Sequence, residues 1–191
     1  MVSEMIQSAL QLFDPDQPIT AIVYADGVAF ESFIEAATAA MAADGVRLAG
    51  LIHQSRPNAD RRKCDLYVKD LATGEVHGIS DDRGPHARGC MLNTDRLLRA
   101  GEAARRSLSR GVDLLVLCKF GKTEAAGGGL RSLVATALEL SVPVLIGVPA
   151  VNLDAFRIFS AGLAHEIVFA TCAAAAAGSP QALAPLPASG A

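Results

Sequence analysis

The chain has 191 residues, enough for one domain with a full core, and 51% of them are apolar against 19% charged. The net charge of −3 is unevenly placed: positions 61–131 hold 14 Lys or Arg against 9 Asp or Glu, and the rest of the chain holds 3 against 11. The basic middle suits either a small anion or a solvated helix face. Without Trp and with 5% aromatics, stacking platforms for nucleic acid are not expected, and no apolar run is long enough to span a bilayer.

Met1–Gln17 reads as an N-terminal arm or short helix, punctuated by Pro15 and Pro18. It lacks the basic start of a secretory signal, so a cytoplasmic protein is expected. Residues 19–25 form a strand-length apolar run, turned by Asp26-Gly27. From Val28 to Ala43 the period becomes helical, with Phe30, Phe33, Ile34, Ala37 and Met41 on one stripe. Residues 46–53 are a second strand, so the unit is βαβ and a parallel sheet is predicted. A polar loop follows, and 64–79 alternates about Ala72-Thr73-Gly74 as a β-hairpin.

Residues 80–91 read SDDRGPHARGCM. Arg83 and Arg88 offer forked donors to an anion, and Gly84 and Gly89 offer accessible backbone N–H groups. An Arg–Asp network with Asp81 and Asp82 is the alternative reading of that loop. A helix is predicted over 94–110, capped by Asn93 or Thr94, with Leu97, Leu98, Gly101, Ala104 and Leu108 facing the core. Residues 112–118 are nearly all apolar, as a central strand covered on both faces should be. Helix over 130–140, strand over 142–148, a short helix capped by Asn152 and an edge strand near 167–169 complete one α/β domain at 18–172. The remainder, 173–191, is rich in Ala and Pro and is predicted to be a disordered tail.

The stretch KFGKTEAAGGGL contains Gly121-Lys122-Thr123, the end of a Walker A motif. The first glycine of that motif would fall at Val116, in mid-strand, and no helix is expected to start after Thr123, because Gly127-Gly128-Gly129 oppose helix formation. The place of a P-loop is the turn after the first strand. There Asp26-Gly27 brings no Lys and a carboxylate. These two residues are the first-loop candidates for contact with a ligand.

The run Asp82-Arg83-Gly84, Ala87-Arg88-Gly89-Cys90 and Lys119-Phe120-Gly121-Lys122-Thr123-Glu124, with Gly50-Leu51-Ile52-His53 before them, resembles an uncharacterised bacterial family of domains of unknown function. Its genes often lie near molybdate transport genes. The resemblance covers about Thr20–Gly162. That family is in turn similar to the small thermophilic-type nucleoside-triphosphatases with a P-loop fold. The resemblance implies a P-loop NTPase-like three-layer sandwich, with a mostly parallel sheet, an added hairpin and degenerate Walker motifs. It also implies that residues 116–124 occupy the Walker B place. Cys118 and Lys119 then stand where those relatives carry their magnesium-associated Asp and their Glu. Ordinary Mg-dependent ATPase or GTPase activity is accordingly not expected.

Lys119, Gly121 and Lys122, beyond the carboxyl end of the central strand, lie where open α/β sheets bind ligands. With Arg83, Gly84, Arg88 and Gly89 they are the candidate anion- or nucleotide-binding residues. Glu124 is a weak candidate base, with ion pairing to Lys119 or capping of its own loop as alternatives. His53 ends a strand at the same edge. Cys64, Cys90, Cys118 and Cys172 form no CxxC pair, and no metal site is assigned. The reading is a protein that binds an anion or nucleotide, possible link to molybdate or molybdenum-cofactor metabolism included. Its alternatives are a phosphohydrolase or phosphotransferase with a non-standard Lys/Arg site, and an inactive scaffold or regulatory protein. No cofactor is identified, no membrane or nucleic-acid partner is expected, and an exposed hairpin edge allows a homodimer.

Overall fold

A computed structural model describes residues 16–56, 65–81, 92–170 and 184–185. The expectations for the N-terminal arm before Asp16, the 82–91 loop, Cys64, Cys90 and Cys172, and nearly all of the tail lie outside these residues. Ala184–Pro185 is the described part of the tail and forms a two-residue strand.

The elements are β1 (Ile19–Tyr24), α1 (Gly27–Ala43), β2 (Leu48–Arg56), β3 (Asp65–Asp70), β4 (Val76–Gly78), α2 (Thr94–Leu108), β5 (Leu114–Leu117), α3 (Lys122–Ala125), α4 (Arg131–Glu139), β6 (Val144–Pro149), α5 (Leu153–Ser160), β7 (Ala164–Val168) and β8 (Ala184–Pro185). They build one mixed sheet in the order β4-β3-β2-β5-β6-β1-β7-β8. β2, β5, β6, β1 and β7 run parallel, while β3 pairs antiparallel with β2, β4 antiparallel with β3 and β8 antiparallel with β7. β5 lies between β2 and β6, and all four of its residues are buried, as its unbroken apolar run demands.

Two apolar layers sandwich this sheet. On one face α1 packs Phe30, Ile34 and Met41 against Ile22, Ile52 and Val116. On the other, α2, α4 and α5 pack Leu97, Ala104, Leu133 and Phe156 against Ala21, Leu115 and Ile146. Each fully buried large side chain contributes about 1.5–3 kcal/mol. Leu98 departs from the predicted stripe and is exposed, whereas Ala100 and Ser107 are buried. A helix turns about 100° per residue, so a core-facing Leu97 carries Leu98 off the stripe.

Connectivity sets where a ligand can enter. After β1 the chain passes over β6 and β5 to reach β2. After β6 it passes the other way, over β1, to reach β7. With right-handed crossovers these opposite paths send α1 and α5 to opposite faces, which opens a crevice between the ends of β1 and β6. Among the described residues, no helix is long and apolar enough to cross a membrane.

The amino edge is pinned by Arg47 and Asp113, which precede β2 and β5. Asp113 accepts from Arg47 N (2.8 Å), Nε (3.1 Å) and Nη2 (2.6 Å). These bonds, the guanidinium first, pull the Asp113 carboxyl from its ordinary 3.8 down to about 2. A depressed carboxyl stabilises the fold above its unfolded pKa, and that contribution fades as pH falls through the folded value. The stability gap between wild type and Asp113→Asn, followed by denaturant unfolding, should be constant above pH 5 and close between about pH 4 and 2. A gap that does not change with pH would contradict the ion pair.

Candidate functional site

The carboxyl ends of β1, β5 and β6 open into a cavity of about 600 Å³. Lys119, Gly121, Lys122 and Thr123 from the loop after β5 line it, together with Gly27 at the start of α1 and Asn152 after β6. Three of the sequence-predicted residues, Lys119, Gly121 and Lys122, therefore meet at one surface with Gly27. Both lysines are exposed. Among the described residues neither ammonium has a carboxylate within ion-pair distance. Arg83, Gly84, Arg88 and Gly89 lie outside the described residues, but Leu92 and Leu97, which follow that loop, also line the cavity.

Asp26 is committed elsewhere. Its Oδ1 accepts from Val28 N (3.0 Å) and Ala29 N (3.1 Å), so it caps α1. A carboxylate of the protein itself thus takes the backbone donors that a helix N-terminus otherwise offers to a phosphate.

Glu124 holds the loop. It is buried, its Oε2 accepts from Gly121 N at 2.9 Å and its Oε1 accepts from Leu130 N at 3.0 Å. Both oxygens are thus tied to backbone donors on either side of the glycine turn, and Lys119 is not its partner. The contact with Gly121 is one half of a capping box, and it explains why a one-turn helix, α3, starts at Lys122 where the sequence reading expected none. Gly129 ends the turn at φ +62, and a Cβ there would lie 2.0 Å from Glu124 Oε1. Only glycine accommodates both that backbone and that carboxylate.

Asn152, expected to cap the following helix, makes no such cap. Its Nδ2 donates to Phe120 O at 2.9 Å and ties the loop after β6 to the loop after β5. Tertiary proximity wins because a buried carbonyl needs a donor.

The opposite wall holds two groups that the sequence reading passed over or only touched. Glu31, in the second turn of α1, and His53, on β2, both line the cavity, with His53 Nδ1 3.0 Å from Glu31 Oε1. His53 N–H donates to Cys118 Sγ (2.9 Å), and burial pushes the Cys118 thiol up to about 12. Cys118 is therefore a protonated core group. The Tyr24 phenol is also raised, mainly by burial, with Cys118 and Glu31 adding to the effect. Its ring stacks on Phe30 at 4.2 Å beneath this wall. Among the described residues no cluster of His, Cys, Asp and Glu could hold a metal ion. A signal for Glu31 was present in the sequence only as an acid one turn into the helix after the first strand. Nothing local ties it to position 53.

A mixed α/β sheet flanked by helices, with a cavity at the carboxyl ends of its parallel strands edged by lysines, defines an open α/β domain. The chain belongs to the family described as "Protein of unknown function (DUF2478)", whose profile matches residues 19–176. It is also similar to the "Molybdenum import ATP-binding protein ModC 2" of Bradyrhizobium diazoefficiens, at 32% identity over 124 residues. That stretch is 65% of this chain and 14% of the relative, so the chain spans a small part of that protein's length. No solved structure matches the chain significantly.

Proposed function

We propose that this protein binds a small anion or a nucleotide at the carboxyl edge of its sheet, on a P-loop NTPase-like fold with degenerate phosphate-binding motifs. The observation that carries the reading is the cavity of about 600 Å³ with Lys119 and Lys122 at its rim and no described carboxylate pairing with either. Two ammonium groups beside the half-buried Gly121 supply positive charge and a close approach to backbone. The similarity to a molybdenum import ATP-binding protein makes ATP and molybdate the first probes. The Asp26 cap at α1 argues that the anion sits at the lysine loop and not at the first turn. A hydrolase reading with Glu124 as base is less favoured, since both of its oxygens already accept backbone hydrogen bonds.

The test is a thermal-shift screen with ATP, orthophosphate, sulfate, molybdate and tungstate. A ligand at 100 times its Kd stabilises the native state by about 2.7 kcal/mol, or roughly 5–10 °C for a domain of this size. Lys122→Ala should keep the melting temperature of the free protein and weaken binding about tenfold or more, near 1.4 kcal/mol. Arg88→Ala asks whether the 82–91 loop shares the site. The reading fails if no probe raises the melting temperature, or if Lys122→Ala binds like wild type.

A further inference from the structure

The lysine loop explains one end of the cavity only. About 600 Å³ is the volume of a site for a nucleotide-sized or drug-sized molecule, where known ligand pockets run from about 300 to 1,000 Å³. A tetrahedral oxyanion fills a small fraction of that. The walls away from the lysines are apolar, with Leu51, Leu66, Val68 and Leu117 from β2, β3 and β5. Such walls do nothing for a bare, strongly hydrated anion and favour an organic body.

Two polar side chains from outside the lysine loop, Glu31 and His53, also line the cavity. Glu31 and His53 come from different elements, α1 and β2, and meet at 3.0 Å. Both are only partly exposed, 28% and 16% of the side chain. Holding two ionisable groups there has a desolvation cost that packing two apolar residues would avoid. The carboxylate against Nδ1 sets the ring's orientation and tautomer: Nδ1 carries the proton, and Nε2 becomes an acceptor in the neutral ring or a donor in the charged one. No hydrogen bond to Nε2 is formed among the described residues. His53 is also fixed from behind, because its backbone N–H donates to Cys118 Sγ. Cys118 is followed directly by Lys119, and Leu51 pairs with Leu117 in the β2–β5 register. Two residues beyond that pair, Lys119 lies past the end of β5, while His53 stays in β2, which runs on to Arg56 beside β3.

We propose that the Glu31–His53 pair is a second recognition pole, and that the ligand is a nucleoside phosphate, its phosphate at Lys119 and Lys122 and its base or sugar hydrogen-bonded by His53. This rests on the anion- or nucleotide-binding reading and narrows it to one ligand class. Glu31 acts as a positioning residue for the imidazole. His53 is the group that touches the ligand and determines specificity.

Titration calorimetry of the full chain with ADP, ATP, orthophosphate and molybdate tests it. ADP or ATP should bind at least tenfold more tightly than orthophosphate. His53→Ala should weaken the nucleotide at least tenfold and leave orthophosphate unchanged, whereas Lys122→Ala should weaken both. Glu31→Gln, which keeps an acceptor oxygen for Nδ1–H, should retain most nucleotide affinity, and Glu31→Ala should lose it. If His53→Ala fails to fold, His53→Phe, which fills a similar space with no hydrogen-bonding atom, carries the same comparison. Orthophosphate or molybdate binding as tightly as either nucleotide, or a folded His53 variant with wild-type nucleotide affinity, overturns the second pole while the lysine site stands. If no probe binds, both readings fall together.

Discussion

Glu124→Ala should lower the stability of the free protein by about 3–5 kcal/mol, the sum of two charge-assisted hydrogen bonds to backbone donors and the cost of leaving those donors unpaired. The side chain is 5% exposed, and its two oxygens accept from Gly121 N and Leu130 N. Truncation therefore strands N–H groups at both ends of the turn, one of them fully buried. Native domains hold about 5–15 kcal/mol in total, so this one loop carries a large share. Glu124→Gln keeps one acceptor and sets an NH2 against the other donor, so an intermediate loss is expected. Denaturant unfolding measures both. The two roles considered for Glu124 separate cleanly: a base would lose turnover on going to Gln with stability intact, whereas a loop tie loses stability first. An Ala variant within about 0.5 kcal/mol of wild type, on the scale of an ordinary surface change, would show that the turn holds itself.

The second large effect is at Gly50, inside β2. Its φ is +122, and a Cβ built there would sit 1.9 Å from Val116 O and 2.8 Å from Val116 C. Those atoms are the backbone of β5, the central strand, and cannot swing aside as a side-chain tip would. Gly50→Ala thus combines a backbone conformation that L-residues rarely adopt with a clash that only strand separation relieves. A loss of about 2–5 kcal/mol is expected, from overpacking at roughly 1–3 kcal/mol plus roughly 1–2 kcal/mol of backbone strain. The variant should appear in the insoluble fraction, or unfold at much lower denaturant if it is recovered. A soluble Gly50→Ala with an unchanged midpoint would mean that β2 and β5 part more easily than their contact implies.

Much of the scaffold is legible in the residues. The continuous apolar run at 112–118 announces a central strand because a strand covered on both faces has no polar side to show. The 3.6-residue stripe of Phe30, Ile34, Ala37 and Met41 announces α1 because one helix face meets the sheet. Ala72-Thr73-Gly74 between alternating runs marks the β3–β4 hairpin. These patterns are local, so the chain displays them without its partners. The lysine loop could also be placed, because a segment that follows a central parallel strand must emerge at the carboxyl edge.

What the sequence could not decide is how separated groups are used once they touch. Asp26 as a phosphate contact or a cap, Glu124 as a base or a tie, and Asn152 as a cap or a brace are the same residues in sequence. Each role is set by which backbone donors and acceptors the fold brings within about 3 Å, and those partners lie 2, 6 and 32 positions away. The Glu31–His53 pair joins positions 22 apart only because α1 returns over the sheet from β1 to β2. Hydrophobic pattern is a property of neighbours along the chain, and so it determines the elements. Hydrogen-bond partnership is a property of neighbours in space, and so only the tertiary structure determines the site.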